Sequence, residues 1–154
     1  MFIRGSIRSI FPDPKDPGRL TKLLDSLGGA DLCVGGIGIN GHLAFNEPKK
    51  EMSTAEFSAL TARVLEISPE TRTANAIGDL NGAIEDMPRY AITIGMHEIL
   101  GAKRVRIGVF RQWHRAVVRR AACGEAGSQF PASLLQNHPD AMILANDVAS
   151  ERAV

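Results

Sequence analysis

The stretch from Asp31 to Pro48 limits what this chain can fold into more than any other: a short apolar run, Asp31 to Val34, feeds straight into Gly35-Gly36, with further glycines at 38 and 41 ahead of His42. A run that short and that apolar suits a strand buried on both faces and ended by a tight turn. Ahead of it, Leu20, Leu23, Leu24 and Leu27 recur at helical spacing, and Gly28-Gly29 supplies a C-terminal stop, so a helix is expected there. Phe11 to Arg19 carries three prolines and a glycine and predicts an extended loop, with a short element before it. Helix, buried strand and glycine turn in that order is the grammar of an α/β protein.

The rest of the chain repeats the grammar. Strands are expected at Ala62 to Ile67, Tyr90 to Gly95, Arg104 to Phe110 and Ala141 to Ala145. Helices are expected from Pro69 to Ala76, Met96 to Gly101, Gln112 to Ala122 and Pro131 to Asn137. Strands separated by helices imply a layered, mainly parallel sheet flanked by helices. No fixed-period repeat or low-complexity linker divides the 154 residues, which predicts one domain over 1–154, continuous after Gly18.

Charge excludes some partner classes. With 18 Lys and Arg against 17 Asp and Glu, the net charge is +1, so there is no global attraction for nucleic acid or anionic lipid. Arg111, Arg115, Arg119 and Arg120 form one locally basic stretch, expected as a solvated helix face. Cys33 and Cys123 lie 90 positions apart with no metal-ligand spacing, which argues against a disulfide scaffold or zinc site and for a reducing compartment. The start, MFIRGSIRSIF, lacks a secretory core, and no apolar run reaches the length of a membrane helix, so a cytoplasmic protein is expected.

Gly36, Gly38 and Gly41 satisfy a Gly-x-Gly-x-x-Gly pattern, which in a dinucleotide fold would open a phosphate-binding helix. Asn46-Glu47-Pro48 would end such a helix within two turns, and no acidic strand end follows at the distance a ribose contact needs. The alternative is that the glycines let backbone pass close to a ligand while polar side chains reach it. His42 then becomes a candidate proton carrier, because imidazole titrates nearest neutral pH, and Glu47 a carboxylate able to orient it. On the residues alone, a His42 that merely bonds within its turn, with a solvated Glu47, is the favoured reading.

GGIGINGHLAFNEP resembles the signature of the glucosamine-6-phosphate deaminase (isomerase) family. The resemblance continues through Thr71-Arg72-Thr73-Ala74-Asn75, through Tyr90 to Met96, and through Pro131-Ala132-Ser133-Leu134-Leu135-Gln136-Asn137-His138-Pro139, spanning about Asp31 to Asp147. It implies a Rossmann-like α/β fold and conversion of an amino-sugar 6-phosphate to a ketose 6-phosphate and ammonia. By resemblance His42 serves ring opening as acid and base, with Glu47 and Asn40 holding its tautomer and orientation. Asn40 stands where the family often has Asp, and an amide can orient an imidazole but cannot balance its charge. Gly38 and Gly41 fall to the substrate-binding turn, and Arg72 matches a phosphate-contacting arginine, a role its planar fork suits. Neither metal nor cofactor is implied, and the expected partner is a small sugar phosphate.

Two departures accompany the match. His114 stands where the family has a phosphate-binding Lys and would be a weaker, pH-dependent cation; either Arg111 or Arg115 is the substitute or the chain has drifted from the usual substrate, with Trp113 as packing. Residues 1–30 also show no Ser/Gly-rich phosphate loop and no strand-end acid for the C2 proton, so the resemblance covers only the larger, C-terminal part of the family and leaves activity of the chain alone in doubt. Two other readings stay open: a 6-phosphogluconolactonase-like hydrolase, whose family shares the Gly-His turn, and a non-catalytic sugar-phosphate module. His97 and His138 are expected to be structural, Cys33 a core residue, and a sheet edge left unpaired predicts self-association.

Overall fold

The computed structural model describes residues 9–152, so the short element expected before Phe11 lies, for residues 1–8, outside the described residues. The proline-rich loop runs into helix α1 (Gly18–Ser26) two residues earlier than expected, with Pro17 as its N-cap. Strand β1 (Cys33–Gly35) follows, then a long loop, helix α2 (Thr54–Ser58), strand β2 (Arg63–Glu66) and helix α3 (Pro69–Asp79). A 3-10 turn (Ile84–Asp86) leads to strand β3 (Tyr90–Thr93), helix α4 (Met96–Leu100), strand β4 (Val105–Val109) and helix α5 (His114–Cys123). The Pro131–Asn137 segment is a 3-10 helix rather than an α-helix, and strand β5 (Ala141–Ala145) and helix α6 (Asp147–Ser150) end the chain's order.

The principal sheet is parallel, in the order β1-β4-β5. Register pairs Cys33 with Val105 and Val105 with Ala141, so alternate residues of β4 face opposite sides. Val105, Ile107 and Val109 are fully buried and join Val117 and Ala121 of α5 and Leu134 and Leu135 of the 3-10 helix in one core. Neighbouring in register on the other face are Val34, Arg106 and Met142, with Leu144 beside Gly108. Val34 is 72% exposed and Met142 and Leu144 are each 49% exposed, so among the described residues this face is uncovered. No helix among the described residues is long and apolar enough to cross a membrane.

Strands β2 and β3 depart from a single layered sheet: they pair antiparallel with each other, Arg63 opposite Thr93 and Glu66 opposite Tyr90. Their place beside the parallel sheet is fixed by one buried carboxylate. Glu98 of α4 is 6% exposed, accepts the Gly95 and Ala62 backbone N–H groups at 2.7 and 3.0 Å, and accepts the Thr21 hydroxyl of α1. Three separate segments therefore share one acceptor, and removing it strands two amide donors away from water. Glu98→Ala is expected to lower unfolding free energy by about 2 to 4 kcal/mol, read as a reduced urea midpoint with little change in slope.

Candidate active site

Parallel strands deliver their following loops to the same end of the sheet, and crevices outside the carboxyl ends of such strands are where α/β proteins bind ligands. A cleft of about 540 Å³ lies there, lined by the loop after β1, one side of α3 and the loop after β4. That volume suits a small molecule. Among the described residues no group of three or more His, Cys, Asp or Glu side chains could hold a metal ion.

The loop after β1 folds back on itself. Gly38 N–H donates to the His42 carbonyl at 3.0 Å and Gly41 N–H to the Gly38 carbonyl at 2.9 Å, which closes a turn between paired Ile37 and Leu43. Gly41 has φ +86°, and a Cβ there would stand 2.5 Å from the Phe130 ring. At Gly38 a Cβ would lie 1.8 Å from His42 Nε2. The imidazole thus occupies the space that a side chain at position 38 would take.

Its orientation comes from backbone. His42 Nδ1 lies 2.5 Å from the Ala44 carbonyl, which can only accept, so Nδ1 carries the proton and Nε2 is left with its lone pair. Ala44 presents that carbonyl from a left-handed conformation, φ 51°, uncommon for a residue with a side chain. Asn40 and Glu47 act on the loop instead of the ring. Asn40 Oδ1 accepts the His42 backbone N–H at 3.2 Å, and its Nδ2 donates to Glu47 at 2.5 Å. The other Glu47 oxygen accepts the Ser68 hydroxyl at 3.1 Å and the Thr71 hydroxyl at 2.5 Å, tying the loop to the first turn of α3. Ala44 is the functional residue that sequence reasoning missed, since a carbonyl leaves no mark in residue type.

Of the two expected phosphate contacts, Arg72 stands away from the cleft and His114 lines it. Arg72 donates through Nη2 to the Ile84 and Met87 carbonyls at 3.2 and 2.9 Å, bracing α3 against the following turn, and it does not line the cleft. His114 does line it, but is buried at 6% exposure. Its Nδ1 accepts the Arg111 N–H at 2.9 Å, so Nε2 bears the proton and donates to the Ile37 carbonyl at 3.1 Å. Burial, foremost, holds its pKa below the ordinary 6.5, with the Arg111 charge adding to the shift. His114 is a neutral clamp between the loops after β1 and β4, and Trp113 covers it with ring centres 3.8 Å apart. His97 pairs with Asp25 at 3.0 Å and His138 reaches the Ala102 carbonyl at 2.8 Å, both away from the cleft.

No family model matches the chain. It is 38% identical over 133 residues to a glucosamine-6-phosphate deaminase of Bacillus velezensis, covering 86% of this chain and 52% of the relative. Glucosamine-6-phosphate deaminase 1 of Bacillus subtilis is 35% identical over 132 residues, with 86% and 51% covered. Among solved structures, a monomeric glucosamine-6-phosphate deaminase of the NagB superfamily superposes with TM-score 0.77 at 32% identity, covering 88% of this chain and 53% of that one. The 6-phosphogluconolactonase of Trypanosoma brucei shares the fold, with TM-score 0.62 at 16% identity over 88% and 52% of the two chains.

Two outcomes test this geometry. Gly38→Ala should leave the fold intact and drive the His42 ring off its carbonyl, seen as a changed His42 tautomer signature in nitrogen NMR. For His114 the sign is set by a folded pKa below the unfolded one: the unfolded chain binds the extra proton, so stability is full above about pH 6.5 and falls as pH drops through it. Urea midpoints measured between pH 7.5 and about 5 should fall in the native chain and flatten in His114→Asn. By sequence and by fold together, the chain is similar to glucosamine-6-phosphate deaminases over most of its own length and spans about half the length of the relatives it matches.

Proposed function

We propose that the cleft is the ring-opening site for an amino-sugar 6-phosphate, within an overall conversion to ketose 6-phosphate and ammonia. The observation that carries this is the His42 ring, fixed at Nδ1 by Ala44 and open at Nε2 over Gly38, in a chain 38% identical to a glucosamine-6-phosphate deaminase. Nε2 takes the proton from the C1 hydroxyl of the pyranose. The C1–O5 bond then breaks with its electron pair going to O5, the C1 oxygen becomes the aldehyde, and the imidazolium returns the same proton to O5. The proton is conserved and the ring nitrogen ends as it began.

Asn40 and Glu47 serve in this reading as positioning residues, and Gly38 and Gly41 make room for the His42 and Phe130 rings. Arg72 serves by holding α3 in place and His114 by joining the two loops. The proposal also takes 1–154 as a single isomerase-like domain, with a small sugar phosphate as partner and a cytoplasmic setting.

Ring opening has its own readout, since it interconverts the α and β anomers. The chain is expected to speed anomer exchange of glucosamine 6-phosphate, followed by exchange NMR, and His42→Ala to lose about 100-fold or more of that acceleration. Ammonia release in the same samples reports whether the later steps proceed in this chain. Bound sugar phosphate with no faster exchange than in buffer would sink the ring-opening role and leave a binding module.

A further inference from the structure

The cleft as built needs a cation for a phosphorylated ligand, and the two residues first expected to supply it do not. Arg72 is turned away to two carbonyls, and His114 is neutral with both nitrogens engaged. Arg115, the other basic candidate, donates to the Val148 carbonyl at 2.8 Å and pairs with Glu151, on the side of α5 that faces α6. Among the described residues that line the cleft, Arg111 is the one permanently charged cation.

Its placement is written into the neighbouring helix. A Cβ on Gly78, in the last turn of α3, would stand 2.2 Å from Arg111 Nη1. Glycine inside a helix is destabilising relative to alanine, and here the bare backbone gives the guanidinium its bed. One nitrogen, Nη2, pairs with Asp79 at 2.9 Å, while the two side chains are 49% and 59% exposed. A pair that open to water is weak and exchangeable. The first turn of α5, which begins three residues later, carries no acidic side chain to offset the positive end of the helix.

We infer that Arg111 forms an anion-binding end of the cleft, exchanging its pair with Asp79 for the phosphate group of a sugar phosphate. A planar fork gives two parallel N–H bonds to phosphate oxygens, which a half-solvated carboxylate pair does not match. The sugar part of this assignment rests on the proposed function; the anion part stands on the cleft itself.

Trp113 is the chain's sole tryptophan and lines the same end of the cleft, so its fluorescence reports occupancy directly. Inorganic phosphate, glucosamine 6-phosphate and glucosamine would be titrated in turn, with calorimetry alongside. Phosphate is expected to perturb Trp113 in the native chain, Arg111→Ala to weaken phosphate and glucosamine 6-phosphate at least tenfold, Arg111→Lys to recover part of the loss, and Asp79→Asn to tighten both several-fold. Arg115→Ala and free glucosamine serve as controls that should show no change and no dependence on Arg111. Phosphate binding through Arg111 without any acceleration of anomer exchange would uphold the anion site while removing the ring-opening reading. Native-like binding in Arg111→Ala, or no phosphate binding in the native chain, would overturn the inference whatever the sugar chemistry.

Discussion

The candidate site depends on a loop anchored by buried polar side chains that bond to backbone on other elements. Asn46 is fully buried, and its Nδ2 donates to the Leu43 carbonyl at 2.9 Å within the loop and to the Ile94 carbonyl at 3.0 Å beyond β3. Phe45 N–H reaches the Thr93 hydroxyl at 3.1 Å, Glu47 takes the hydroxyls that start α3, and Ala132 N–H donates to the Gly41 carbonyl at 2.8 Å. Asn46, Thr71 and Thr93 are buried, so losing these partners would leave polar groups away from water and the loop is held by penalties as much as by gains. The proposed ring opening, in which an imidazole nitrogen faces a reacting oxygen, would need that rigidity, because small misplacements are costly in rate.

This arrangement gives physical content to the four matching stretches. Thr71 begins α3, Tyr90 to Met96 carries Thr93 and Ile94, and Pro131 follows the Phe130 ring that packs on Gly41. All three are far from His42 in sequence, and all three press on its loop from different sides. Such motifs belong as much to support as to contact: Arg72, the most chemically suggestive residue of its stretch, braces a turn, while the quieter Thr71 holds the carboxylate.

Residue pattern made the parallel strands readable, since β1 and β5 are short apolar runs and β4 alternates basic and apolar residues before turning apolar. Direction was not readable for β2 and β3, because strands pairing in either sense share the same period of two. Helix α2 had an available signal in Ser53 and Glu56, whose reciprocal bonds cap it, yet five residues are too few for a periodic pattern to announce. His114 shows a different limit. Residue type alone marks it as a cation, and only burial between two loops and its two backbone partners make it a neutral clamp. Composition told nothing of the uncovered sheet face, since Val34, Met142 and Leu144 read from sequence as ordinary interior residues.

Asn40 is where side-chain chemistry decides between two nearly identical shapes. Its amide gives a hydrogen to Glu47 at 2.5 Å through one atom and takes a hydrogen from the His42 backbone through the other, using its opposite polarities at once. An aspartate there could keep the second bond but not the first, because two carboxylates facing each other at that distance have no hydrogen to share unless one is protonated. Glu47 would then have to leave Ser68 and Thr71, or the new acid would have to turn toward the imidazole. The amide therefore fixes the division of labour in this chain: the carboxylate secures the loop and the Ala44 carbonyl secures the ring, which leaves His42 Nε2 for the role proposed for it in ring opening.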